Sequence, residues 1–195
     1  MAEPPQKHGR DAGRGSAAAT AQHGHKGHNV NWGYDGKSGP QSWGKLKPAF
    51  QACRTGELQS PINIVPSAHA NLTPLKIDYA SAPLAIINNG HTIQVDYPAG
   101  STMEVDGHKY ELLQFHFHTP SEYAIEGKRY DMEVHFVHRD SAGNLGVVGI
   151  MIEEGRENEA VAGIWKNLPA KAGDKKAHSR IIVNAADFFP ADKSH

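Results

Sequence analysis

The chain has 195 residues, with 20 Lys plus Arg against 21 Asp plus Glu, a formal net charge of -1. That length suits one domain with a sizeable core. The balanced charge argues against a nucleic-acid partner or an anionic membrane surface, and no apolar run approaches the roughly 18 residues of a spanning helix.

Residues 1–30 hold His8, His23, His25 and His28 among Gly, Ala, Lys and Arg. This segment is expected to be disordered, a solvated tail or the remnant of a tag or leader that catches metal loosely at most. It lacks the apolar core of a signal peptide. A folded domain is expected over residues 31–195. From Trp32 to Gly56, Gly33, Gly36, Gly39, Pro40, Gly44 and Pro48 favour turns, with a short helix around Ser42 to Leu46 or Pro48 to Cys53. Cys53 is the single cysteine, so no internal disulfide is available.

Short β-type runs follow at Ile62–Val65, Leu75–Tyr79, Leu84–Asn88, His91–Tyr97, Met103–Val105, Lys109–His118, Lys128–His138 and Leu145–Glu153. Asp106-Gly107 and Ala142-Gly143-Asn144 are hairpin signals. One helix is expected from Glu157 to Leu168, where Val161, Ile164, Trp165 and Leu168 form an apolar stripe closed by Pro169. The pattern predicts a mostly β chain with few helices, an α+β fold around a largely antiparallel twisted sheet.

Within the run Gln114-Phe115-His116-Phe117-His118, alternation sends both histidines to one face and both phenylalanines to the other. A second run places Glu133, His135 and Val137 on a common face. If the two runs pair antiparallel, three imidazoles converge, the set that holds a catalytic zinc with a fourth position open to water. Gln114 and Glu133, each two residues before a ligand, are placed to take the second ring nitrogens and so fix tautomer and aim. A zinc held by three neutral histidines makes hydroxide available near neutral pH. Val137, with Val147 or Val148 on the next run, would offer it an apolar neighbour suited to a small uncharged substrate.

Gln-Phe-His-Phe-His, Pro-Ser-Glu and Glu-Val-His-Phe-Val-His resemble the zinc-binding core of the α-class carbonic anhydrases, most closely the bacterial members. The similarity extends through Trp32-Gly33-Tyr34, Gly39-Pro40, Trp43, Gln59 to Ile64, Asn88 to His91 and Gly149-Ile150. It implies zinc on His116, His118 and His135, Glu122 as the carboxylate behind a gatekeeping threonine, His91 as proton shuttle and Tyr34 at the mouth. The implied reaction is hydration of carbon dioxide to bicarbonate and a proton by zinc-bound hydroxide. Asn89 and Gln94 are expected to order water between metal and shuttle. Strict alternation puts Gln94 opposite Asn89 and His91, so a bulge or strong twist is expected there.

The family pattern is expected to continue beyond Asp192 with an aromatic-rich strand and a Leu-Thr-Thr-Pro-Pro segment, which would carry the threonine, a pocket wall and a cysteine partner for Cys53. Ending at residue 195, the chain is read as C-terminally truncated, with weak or absent turnover, poor stability and self-association through unpaired sheet edges. A zinc-binding remnant without catalysis is the alternative. A cupin is disfavoured, because Gly107 lies nine residues before His116 where about six are needed. The resemblance implies a periplasmic or secreted location, with the cytoplasm as alternative.

Overall fold

The computed structural model describes residues 32–67 and 72–190. The segment 1–30, with the disorder expected of it, lies outside the described residues. In chain order the elements are α1 (Trp43–Leu46), α2 (Ala52–Thr55), β1 (Asn63–Ile64), β2 (Lys76–Asp78), β3 (Ala82–Asn88), β4 (Ile93–Asp96), β5 (Thr102–Val105) and β6 (His108–His118). Then come β7 (Ala124–Ile125), β8 (Met132–Arg139), β9 (Leu145–Ile152), α3 (Glu159–Trp165) and β10 (Lys175–Val183). Where one short helix is expected before Gly56, around Ser42 to Leu46 or Pro48 to Cys53, two form, α1 within the first range and α2 at the end of the second and beyond it.

Eight strands make one sheet, every pair antiparallel. β6 is its axis. β8 runs along one edge of β6; β4 and β5 share the other edge at different heights, and β3 with β10, β2 and β9 extend the sheet outward. β1 and β7 form a separate parallel pair. The tight turn into β6 uses Asp106 and Gly107 at φ 49° and 80°, the left-handed backbone that the Asp-Gly signal predicts.

The core lies on one face of this sheet. Leu84 and Ile86 of β3, Val95 of β4, Phe115 and Phe117 of β6, and Val134 and Phe136 of β8 are buried there, with Ile164 of α3 and Phe188 beside them. The pairing of β6 with β8 shifts register between Leu112 and Gln114, which leaves Leu113 as an extra residue. Such a bulge re-phases the strand. Leu112 and Phe115 therefore both reach the core, and Gln114, His116 and His118 are sent to the opposite face. His138 is also buried on the core side, with its Nε2 2.6 Å from Tyr79 Oη.

Three expectations need correction. β10 is an unforeseen strand: most of its Lys-, Ser- and Arg-bearing positions are exposed, so it carries no clean alternation. The helix is shorter than expected, because the Asn158 side chain accepts from the Ala160 and Val161 amides and fixes its start. The run expected over His91–Tyr97 forms strand only from Ile93. His91 sits instead in a turn where Gly90 has φ 90° and Asn89 Oδ1 accepts the amides of His91 and Thr92. Among the described residues no helix is long and apolar enough to cross a membrane.

Candidate metal centre

His116 and His135 are direct partners across the β6–β8 ladder, and His118 is opposite Glu133. With side chains alternating along both strands, the three imidazoles project from the face away from the core. One ring nitrogen from each of the three lies within 4.8 Å of the others. This is the convergence that the spacing predicts.

Each outer partner is also in place. His116 Nδ1 donates to Gln114 Oε1 at 2.9 Å, leaving Nε2 for the centre. His135 Nε2 lies 3.0 Å from Glu133 Oε1, so its Nδ1 is the inward atom. Glu133 is fully buried, and its other oxygen accepts the backbone amides of Glu122 at 2.9 Å and Tyr123 at 3.1 Å. One carboxylate thus aims His135 and anchors the loop that carries Glu122. Burial alone would raise the Glu133 pKa, but the contact with His135 and these two amides hold it below its usual value.

Burial, then the nearby rings of His118 and His135, push the His116 pKa down to about 4. His118 is also lowered, chiefly by burial. Neutral imidazoles are what a cation requires. His118 Nε2 is buried without a hydrogen-bond partner, an orphan costly to leave unmade. That orphan and the all-nitrogen donor set fit the zinc expected of the site.

Glu122 Oε1 accepts from Tyr34 Oη at 2.8 Å, while Oε2 lies 3.4 Å from His118 Nε2 and 3.9 Å from His135 Nδ1. Burial, then the hydrogen bond to Glu122 and its charge, raise the Tyr34 pKa. The centre opens into a cavity of about 570 Å³ whose lining includes Tyr34, Asn89, His91, Gln94, Gln114, His116, His118 and Glu122. Gln94 is level with His116 across β4 and β6, so it shares the site face. No bulge is needed, because the turn at Asn89 to Thr92 breaks the alternation. The polar ends of Asn89 and Gln94 are engaged locally, Asn89 Nδ2 with Thr92 Oγ1 and Gln94 Nε2 with Asp96 Oδ1.

Sequence reasoning gave Trp32 no role, yet its ring stacks on exposed His91 with centroids 3.9 Å apart and packs edge-on to Tyr34 and Trp43. Gly149 was also given none. Opposite His135 on β9, it would put a Cβ 2.7 Å from Glu133 Oε1 if it carried one. Val137 and Val147 pair across β8 and β9 on the His135 side, with Val147 half-exposed. Neither lines the cavity described above. Cys53 is free and exposed.

A sheet with three convergent histidines on its outer face, two of them aimed by a polar partner, defines a three-histidine metal-binding protein. Residues 38–195 match the family profile described as eukaryotic-type carbonic anhydrase, and the chain belongs to that family. It is 46% identical over 167 residues to a carbonic anhydrase of Pectobacterium carotovorum, covering 86% of this chain and 68% of that one. A carbonic anhydrase of Nostoc sp. is 43% identical over 167 residues, covering 83% and 63%. The chain thus spans about two thirds of the length of these curated relatives or less. Among solved structures, the α-carbonic anhydrase from Thermovibrio ammonificans, in complex with the inhibitor sulfanilamide, superposes with a TM-score of 0.79 at 38% identity, covering 85% of this chain and 74% of that chain. The family match sets the cupin reading aside.

Proposed function

We propose that this protein catalyses the reversible hydration of carbon dioxide to bicarbonate and a proton, with zinc held by His116, His118 and His135. The observation that carries the reading is the set of three inward imidazole nitrogens, two of them with outer partners. When bound, zinc would supply a Lewis-acidic centre able to make a nucleophile from water near neutral pH. Gln114 and Glu133 keep His116 and His135 in the tautomer that binds metal. Glu122, clamped by Tyr34, presents Oε2 to the reacting position and orients a proton there. His91 takes the released proton to solvent from the cavity mouth, where an imidazole can both accept and give up a proton.

Stopped-flow hydration by the zinc-loaded chain tests this. Turnover above the uncatalysed rate is expected, and its loss in His116→Ala, His118→Ala and His135→Ala. Stoichiometric zinc with no hydration in the parent chain would leave only a metal-binding role. A periplasmic or secreted location is part of the same proposal and rests on the family resemblance; cell fractionation with a cytoplasmic marker decides it.

A further inference from the structure

We infer that Lys47 and Arg54 form an anion-attracting rim at the mouth of the metal cavity, drawing small inorganic anions such as bicarbonate toward the three histidines. The inference rests on the three-histidine reading above and goes beyond it, because that reading gives no residue a part in handling the charge of the product. Between Gly36 and Gly56 the chain carries Lys37, Lys45, Lys47 and Arg54 and no acidic residue, in a molecule whose formal net charge is -1. Trp43, Phe50 and Cys53 of this segment line the cavity, so the excess of cations is local to one of its walls.

Two contacts fix the pair at that wall. Lys47 Nζ lies 4.0 Å from the centre of the Phe50 ring, and the negative face of the ring holds the ammonium there. Arg54 follows Cys53, and its backbone packs so closely on α1 that a Cβ at Gly44 would stand 2.5 Å from Arg54 Cβ. Gly44 thus lets α2 bring Arg54 next to Trp43.

Neither charge is cancelled by a partner. The Lys and Arg ion pairs among the described residues are Lys76 with Glu104 and Lys128 with Glu153, whereas Lys47 and Arg54 are exposed and in none. Against them stand Glu122 within the centre, Asp96 bonded to Gln94, Asp35, which shares the adjoining cavity with Arg129, and Glu57 just after α2. Of these only Glu57 adjoins the rim segment, so positive charge prevails there. The wall between rim and histidines is apolar at Trp43, Phe50 and Pro61, and a low-dielectric wall concentrates the field of such charges on the opening. Carbon dioxide is uncharged and feels little of it; bicarbonate is held more tightly.

The test loads the metal-free full chain with cobalt(II) and follows its visible spectrum during titration with azide at neutral pH and low ionic strength. Wild type is compared with the double variant Lys47→Glu, Arg54→Glu. Reversing both charges should raise the azide needed for half-saturation about threefold to tenfold, an effect that fades in about 1 M salt, where the Debye length is about 3 Å. Titration with 1,2,4-triazole, a neutral ligand, should give the same response in both proteins. Lys109→Glu makes the same kind of charge change at the start of β6, roughly 30 Å along the strand from His118, and should leave azide affinity unchanged. Equal azide response in wild type and the double variant, an equal loss for azide and triazole, or as large a loss in Lys109→Glu overturns the rim and leaves the three-histidine reading standing. No cobalt spectrum from folded wild type overturns both. Should the double variant fail to fold, Lys47→Gln and Arg54→Gln decide: each should raise the azide requirement at low salt alone, and no change in either overturns the rim.

Discussion

Aim is what distinguishes His116 and His135 from ordinary strand histidines. Gln114 and Glu133 each occupy one nitrogen and leave the other facing the centre. Removing such an outer partner typically lowers metal affinity about 10- to 100-fold. Gln114→Ala should therefore weaken zinc binding by that factor in a chelator competition while leaving the fold intact, and unchanged affinity would contradict the assignment. Gly149→Ala should act on the same pair through space. A Cβ at 2.7 Å from Glu133 Oε1 forces that buried carboxylate off His135, with an expected stability loss of about 1 to 3 kcal/mol and a matching fall in zinc affinity. Thermal melts with and without zinc separate the two effects.

The His-x-His pair, the third ligand and both outer partners are legible in the sequence because period-2 alternation alone puts them on one face. The need for glycine at 149 is not. It arises from the close approach of β9 to a carboxylate on β8, and no local pattern encodes that distance. The Trp32 stack on His91 and the Tyr34 clamp on Glu122 are equally hidden, each joining residues more than fifty positions apart.

At the scale of elements, the extra residue in β6 lets Leu112 share the core face with Phe115 and Phe117. Deleting Leu113 would remove the bulge and leave Leu112 and Phe115 on the core face and Gln114, His116 and His118 on the site face by plain alternation, at the cost of the bond that the Tyr97 amide gives Leu113 O. The deletion should therefore lower the melting temperature but keep metal uptake, and a folded variant that no longer binds zinc would refute this account of the bulge. From sequence, the alternation in Gln114 to His118 is visible but the bulge before it is not, because Leu112 and Leu113 read as neighbours on a two-sided apolar run. β10 escaped notice for the complementary reason. Its register against β3 is set by backbone pairing, while its side chains point mostly to solvent.

The pH response belongs to the whole molecule, since its buried rings serve both core and site. His138 and His116 have pKa values depressed mainly by burial. Unfolded histidines take up protons near pH 6.5, whereas in the fold His116 does so only near pH 4. The unfolded state therefore binds more protons as pH falls through this window, so the stability due to these neutral rings is present above about pH 6.5 and lost below it. The melting temperature of the metal-free protein should decline between pH 6.5 and 5, before most carboxylates titrate; a flat profile there would contradict neutral burial. The outer strands carry a separate expectation. β9 and β10 each have a single neighbour among the described residues and expose Leu145, Val147 and Ile182. Unpaired apolar edges invite association, so light scattering should find oligomers that Ile182→Lys and Leu145→Lys reduce.

Zinc stoichiometry tests the central claim most directly. Metal analysis after dialysis of the full chain should find one tightly bound zinc per molecule, lost on replacing any one of His116, His118 or His135 by alanine and retained on replacing the core-side His138 by glutamine. Zinc absent from the folded parent, or kept by all three alanine variants, would contradict it.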